Sequence, residues 1–247
     1  MDEGAHIVNY FQQGITWIND PLNWTNPGGL LDRLGEHLVI SFWAVLLGCL
    51  IGWPIGIWLG HRARGGGAVI TVANLTLAIP TLALLTILPL TPLGFGKPPI
   101  VVALAVFAVP PLLANAYTGL RQIDPETREA AKGMGLSGGQ LLRRVELPLS
   151  VPYLAAGLRT AAVQVVATAA LAALVNGGGL GEIISAGFGL GMSNGGGGQI
   201  VAGGIVVAAL ALLVEGLLAV LQRVVTPRPL RATRRRRRPA AAAVPAG

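Results

Sequence analysis

The chain has 247 residues, 53% of them hydrophobic and 12% charged, with a mean hydropathy of +0.64. Soluble domains carry roughly 25% charged residues, so this composition excludes a water-soluble globular fold, and its hydrophobicity excludes intrinsic disorder. The net charge of +7 would suit nucleic acid, but it is concentrated beside long charge-free stretches and reads as a topology signal instead.

Residues 38–60, 65–96, 98–120, 160–181 and 183–214 contain no Asp, Glu, Lys or Arg. A bilayer-spanning helix needs about 20 apolar residues, and each stretch is long enough. The expected class is an all-α polytopic membrane protein with about five transmembrane helices, placed at about 38–60, 68–90, 98–119, 151–176 and 199–222.

Residues 1–37 have no basic n-region, so no secretory signal peptide is expected. Ile7, Tyr10, Phe11, Ile15 and Ile18 recur at helical spacing until Asp20-Pro21, which predicts an amphipathic helix on the outer leaflet. Trp43 and Trp58, near opposite ends of the first span, suit the aromatic belts at the two interfaces. Cys49 lies mid-span and is read as an inert buried thiol. With one cysteine and scattered histidines (His6, His37, His61), no metal site, cofactor or catalytic residue is expected. Pro80, Pro110 and Pro111 fall within spans, where neighbouring helices can satisfy freed carbonyls. Small residues dominate 155–173, which predicts close helix packing there.

The loop at 121–150 carries explicit local signals. Asp124-Pro125-Glu126 reads as an N-cap with proline at the first helical position, and the helix should run to about Met134. Gly135 is free to take the left-handed position at its end. Ser137 and Gln140 match a capping box that starts a second short helix, expected to end before Pro148. Gly133, Gly135 and Gly138 fit GxGxxG formally, but no strand precedes them. Gly94 to Pro98 lacks the residues of a phosphate loop, so this chain is not expected to hydrolyse ATP.

Basic residues cluster at His61-Arg62-Ala63-Arg64, in 121–146 and in the tail from Arg223 through Arg228, Arg231 and Arg234 to Arg238. Placing all three inside puts the N-terminus outside and the C-terminus inside. Sixteen basic and four acidic residues then lie on the inner side, against two basic and six acidic on the outer. Residues 1–37 become an extracytoplasmic segment, 38–222 the transmembrane domain, and 223–247 a disordered cytoplasmic tail. That tail either anchors the topology or senses salt through anionic lipid. Arg159 and Glu215 each sit roughly 12 Å from the inner boundary, where they either form an intramembrane ion pair or reach the interface separately.

Glu129-Ala130-Ala131, three residues, Gly135, nine residues, Val145, one residue and Leu147-Pro148 resemble the EAA signature of permease subunits from binding-protein-dependent ABC importers, with Val145 where isoleucine is common. Other pieces look like the glycine betaine/carnitine/choline/proline branch: Gly35 to Leu38, Ala78 to Leu85, Asn115-x-Tyr117-Thr118-Gly119, Gly157 to Thr160, and Leu171 to Gly181. The chain departs from that branch at Asn176, where glycine is more usual, in Gly195 to Gly198, which enlarge the last external stretch, and in the Arg-rich tail.

The resemblance implies the type I ABC importer permease fold in a bacterial plasma membrane. Its partners would be a cytoplasmic ABC ATPase dimer, a second permease subunit (the same or a paralogue) and an extracytoplasmic solute-binding protein, with membrane lipid around them. The hairpin would couple to the ATPase through Glu129, Ala130, Ala131, Gly135, Val145, Leu147 and Pro148. The cargo would be glycine betaine, choline, carnitine or proline, or alternatively another small solute such as methionine. A quaternary ammonium is usually held by an aromatic cage, which is placed on the binding protein, and no substrate contact is assigned here. An ion-coupled secondary transporter would need ionisable residues deep in its spans, where only Glu215 qualifies. An intramembrane enzyme would need a nucleophile with its base, and a purely structural protein has no use for the hairpin.

Overall fold

A computed structural model of the chain describes residues 3–63 and 65–226. The side chains of His6 and Ile7, residue Arg64, and the tail with Arg228, Arg231 and Arg234 to Arg238 lie outside this description.

The described chain is helical throughout. Helix α1 (Glu3–Asn19) ends at Asp20-Pro21, and the Asp20 carboxylate accepts from the Leu22 amide to start the single turn α2 (Leu22–Thr25). Helix α3 (Leu30–Arg62) has 33 residues, about 50 Å, so it reaches beyond a hydrocarbon core. Helices α4 (Gly66–Leu75) and α5 (Thr81–Ile87) follow, then α6 (Lys97–Arg121), the short helices α7 (Pro125–Gly133) and α8 (Gly138–Leu141), and α9 (Leu147–Ala169). Helix α10 (Gly181–Leu190) and the 30-residue α11 (Gly196–Val225) complete the fold.

The core lies where α3, α6 and α9 meet, around Ile40, Ala44, Leu104, Ala108, Ala161 and Val165. Between apolar helices in lipid there is little hydrophobic drive, so association depends on close backbone approach and dispersion. Gly48, Gly52, Gly56 and Gly60 recur every fourth residue and form a seam on α3 against α6. A Cβ at Gly48 would lie 2.7 Å from Ala108 Cβ, one at Gly56 2.6 Å from the Leu113 carbonyl oxygen, and one at Gly60 2.8 Å from Leu120 Cβ. Helix α9 closes on the other side of α6 in the same way, with Gly157 against Asn115 and the Pro111 carbonyl.

Among the described residues, four helices are long and apolar enough to span a membrane, and a bent pair makes a fifth if it is counted as one span. The stretch expected as one span at 68–90 is that pair: 66–78 and 81–90 meet at 78°. Pro80 restricts the residue before it to extended backbone, and Ile79 accordingly has ψ 126°. The first span begins at Leu30 rather than near 38, because the turns carrying Arg33, Glu36 and His37 are already helical. The second short helix does not end before Pro148. It continues through a π turn, Leu142–Glu146, into α9, making one helix from Gly138 to Val175. Pro148 offers no N–H to the Arg144 carbonyl and crowds it, and the wider turn absorbs both defects.

Gly196 to Gly198, expected in an external stretch, form the first turn of α11. Gly196 abuts the backbone of Gly187 on α10, while Gly197 and Gly198 are packed against α1, where a Cβ would lie 2.5 Å from Tyr10 or Gln13. Helix α1 therefore turns Tyr10, Gly14 and Trp17 toward the protein and leaves Phe11 and Ile15 exposed. Trp43 and Trp58 are exposed on α3 about 22 Å apart along its axis, and the Arg62 guanidinium lies 4.5 Å above the Trp58 ring.

Replacing Gly56 with valine should separate α3 from α6 at a cost of about 1–3 kcal/mol. Gly35 lies on the same helix with open space at its Cβ position, so Gly35→Ala should be neutral or slightly stabilising. Thermal unfolding of the two variants in detergent checks this. Equal midpoints would show that the seam does not hold the fold.

Candidate functional site

The 121–150 hairpin is assembled from successive local devices. Helix α6 stops at Arg121, and Asp124 caps α7 by accepting from the Glu126 amide at 2.9 Å, with Pro125 in the first turn. At the other end the Leu136 amide reaches the Ala131 carbonyl and the Gly135 amide reaches that of Lys132. This pair of bonds requires a left-handed residue between the helices, and Gly135 has φ +83° with open space around its Cβ position. Ser137 and Gln140 then cap each other reciprocally: the Ser137 amide donates to Gln140 Oε1 at 2.9 Å, and the Gln140 amide to Ser137 Oγ at 3.4 Å.

The residues singled out in the signature divide by exposure. Glu129, Ala130, Gly135 and Pro148 face outward, Val145 and Leu147 are half-buried, and Ala131 is buried within the hairpin. The Glu129 side chain forms no hydrogen bond or ion pair with the described residues and is left on the surface. Beside it the tip presents Met134, 74% exposed, a large apolar side chain that the sequence analysis passed over.

The electrostatic centre of this region is Glu146, also missed from sequence. Its side chain is 1% exposed, on the π turn that opens α9. Oε2 accepts from His61 Nδ1 at 2.5 Å, and Oε1 from Arg128 Nη2 at 3.2 Å. A carboxylate can only accept, so His61 carries its proton on Nδ1. Arg128 Nη2 also donates to the Leu120 carbonyl at 2.6 Å, and the far side of the His61 ring lies beside Gly138. One buried carboxylate thus joins the ends of α3 and α6, helix α7 and the start of α9. The available signal was an acid directly before Leu147-Pro148, with basic residues at Arg128 and His61.

Arg159 and Glu215 lie 2.8 Å apart and tie α9 to α11. Gln222 extends the link: it accepts from Arg159 Nη1 at 3.2 Å and donates to the Pro152 carbonyl at 3.1 Å.

At the opposite end of the bundle, two segments quoted separately from the sequence come together. The Gly179 amide donates to Glu36 Oε2 at 3.0 Å, and the Leu180 amide to His37 Nδ1 at 3.3 Å. His37 is fully buried, and its Nε2 donates to the Val166 carbonyl at 2.9 Å. Arg33 bridges Glu36 at 3.0 Å and Glu182 at 2.6 Å. Gly178 and Gly179 have φ +78° and +82°, and a Cβ at Gly178 would fall 2.7 Å from Glu36 Oε2. The glycine run is therefore the one backbone that fits beneath Glu36 and His37.

Residues 50–227 match the family described as binding-protein-dependent transport system inner membrane component. The chain is 40% identical over 207 residues (83% of this chain, 93% of the relative) to the glycine betaine/carnitine/choline transport system permease protein OpuCB of Bacillus subtilis. It is 38% identical over 223 residues (90% and 94%) to the choline transport system permease protein OpuBB of the same organism. The osmoprotectant import permease protein OsmW of Salmonella typhimurium is 34% identical over 210 residues (83% and 96%). Among solved structures, the inward-facing MetNI methionine ABC transporter matches with TM-score 0.71 at 24% identity, covering 85% of this chain and all of that one. At that identity the likeness concerns the fold.

Removing Glu146 would leave Arg128, whose side chain is only 15% exposed, without its counter-charge. Glu146→Ala should therefore lower stability by about 3–5 kcal/mol, whereas Glu129→Ala, on the exposed side of the same hairpin, should leave it unchanged. Thermal unfolding combined with limited proteolysis of 121–150 reads both. Equal behaviour of the two variants would show that the buried carboxylate does not organise the hairpin.

Proposed function

The chain belongs to the family of inner-membrane components of binding-protein-dependent transport systems, and on that premise we propose that it is the permease subunit of an ABC importer carrying glycine betaine, choline or carnitine. The observation that carries the cargo is the 38–40% identity, over 83–90% of the chain, to permeases named for those solutes. It is a multi-pass membrane protein in which the permease fold and its hairpin are present and any ATP chemistry would lie on a separate subunit.

The exposed hairpin is the element we assign to coupling, on the cytoplasmic side. The basic clusters at Arg62, in 121–146 and at Arg223 support that orientation. ATP bound to a partner can shift the access of the pathway only if the hairpin has different contact energies with the partner's two states. Glu129, Ala130 and Met134 supply an exposed polar and apolar contact surface, and Gly135 sets its angle. Glu146 ties that surface to α3, α6 and α9, so displacement of the tip moves the bundle rather than the loop alone. A second permease subunit and an external binding protein complete the assembly in this reading. The salt-dependent role considered for the Arg-rich tail falls outside the described residues and is not part of it.

The test is uptake by proteoliposomes holding the permease with its ATPase and binding protein. ATP-dependent uptake of glycine betaine, choline or carnitine is expected, and uptake of methionine alone would overturn the cargo. A non-glycine residue at a left-handed corner costs roughly 1–2 kcal/mol, and open space around Gly135 means that strain is the whole effect. Gly135→Val should keep near-normal membrane abundance, weaken ATPase co-purification and lose most uptake; Glu129→Ala should do the same more mildly. Wild-type uptake and ATPase association in Gly135→Val would remove the hairpin from the coupling role.

A further inference from the structure

Most of the surface that the described chain presents at membrane depth is hydrocarbon. Helix α3 exposes Leu38, Phe42, Trp43 and Leu50, and α11 exposes Leu212, Leu213, Leu217 and Val220. Helix α9 differs. It packs against α3, α6 and α11, and along the one remaining strip, continued by the turn 170–175, Thr160, Ala167, Leu171 and Leu174 are exposed while Val163, Gln164 and Thr168 are half-buried. Three of these seven are polar, and Gln164 lies at the centre of the span. No described residue hydrogen-bonds the Gln164 carboxamide. The threonine hydroxyls donate back to their own helix, Thr160 to Ala156 at 3.1 Å and Thr168 to Gln164 at 2.8 Å, which leaves their oxygens free to accept. Asn115 on α6 stands over Gly157, two turns before Gln164 at nearly the same azimuth. The four polar side chains thus rise through about 16 Å of membrane depth.

A second observation concerns the neighbouring element. Helix α5 packs on the turn 170–175 that ends α9, with Leu85 and Ala172 in one cluster. It begins at the break in the bent span, where Ile79 and Pro80 are exposed. Non-helical backbone at membrane depth is tolerated where protein covers it or where it lines a water-filled cavity, and not against lipid. An unpaired carboxamide in the middle of a span obeys the same constraint.

Resting on the permease reading above, we propose that Thr160, Gln164 and Thr168, with Asn115 at the end nearer the hairpin, form this subunit's wall of the solute passage. The strip has dipoles and no ionic side chain, which suits a small zwitterionic or quaternary-ammonium solute. Gln164 Nε2 can donate to a carboxylate. A methylated nitrogen has no N–H to give and meets the threonine and carboxamide oxygens through charge and dipole alone. Without a fixed counter-charge the wall binds weakly enough to release what enters it, as conduction requires.

Single cysteines at Thr160, Gln164 and Thr168, and controls at Phe42 and Leu213, would be placed in a Cys49→Ala background in the assembled transporter. Each would be exposed to methanethiosulfonate ethyltrimethylammonium, itself a quaternary ammonium, with and without trapped ATP. The strip should label in at least one state and the controls in neither. Labelling at Gln164→Cys should slow severalfold in the presence of whichever solute the Cys49→Ala parent takes up. Because that solute is chosen by the uptake assay from glycine betaine, choline, carnitine and methionine, a wrong cargo and a wrong wall fail separately. Gln164→Leu should keep membrane abundance and ATPase association while uptake falls severalfold. No labelling of the strip in either state, equal labelling of the controls, absence of protection, or unchanged uptake in Gln164→Leu would each overturn the assignment.

Discussion

The main core of the described chain is arranged around the closeness of α3, α6 and α9. Lipid offers apolar helices no reason to associate through burial alone, so their contact has to be gained through dispersion at short range. The four-residue glycine repeat on α3 permits that range along one side of α6, and Gly157 permits it on the other. Because the seam runs from Gly48 to Gly60, it sets the relative height of α3 and α6 as well as their distance. Polar groups at either end can then be brought together with little slack.

Those end groups fasten α3 to the α9 helix twice. Near its beginning, Glu36 and His37 hold the amides of Gly179 and Leu180 and the carbonyl of Val166. At its last turn, His61 holds Glu146. The first attachment acts through backbone groups in a turn that glycine alone can form; the second is a hydrogen bond from His61 to the buried Glu146 carboxylate, which also pairs with Arg128 from α7. Together they join α3 to the α9 helix at both of its ends, the kind of linkage that the proposed coupling role requires. Helix α11, joined through Arg159, Glu215 and Gln222, is attached at partly exposed positions, where such links are weaker.

How much of this was legible in the sequence depended on the range of the interaction concerned. Asp124-Pro125, Gly135 and Ser137 with Gln140 act within four or five residues of themselves, and the structure has each device where the spacing places it. Pro148 was legible as a residue that disturbs a helix, but its effect was misjudged. A π turn absorbed the missing N–H and the helix ran on, because α6 and Glu146 hold the continuation in place. Pro80 had the opposite outcome: with few contacts across its break to oppose it, the extended conformation it imposes on Ile79 bent the span by 78°.

The sequence by itself determined the membrane class, the approximate location of the apolar helices, the caps of the hairpin and the family signature. The first three follow from composition, periodicity and contacts within a few residues, and the last from a resemblance to a known family. The tertiary structure alone decided that Glu146, His61 and Arg128 share one site, that Glu36 and His37 sit over Gly178 and Gly179, and which face of α9 is left open. Those partners are separated by 18 to 143 positions along the chain. No local propensity encodes such separations; they arise only once the glycine seam has set the distance between helices.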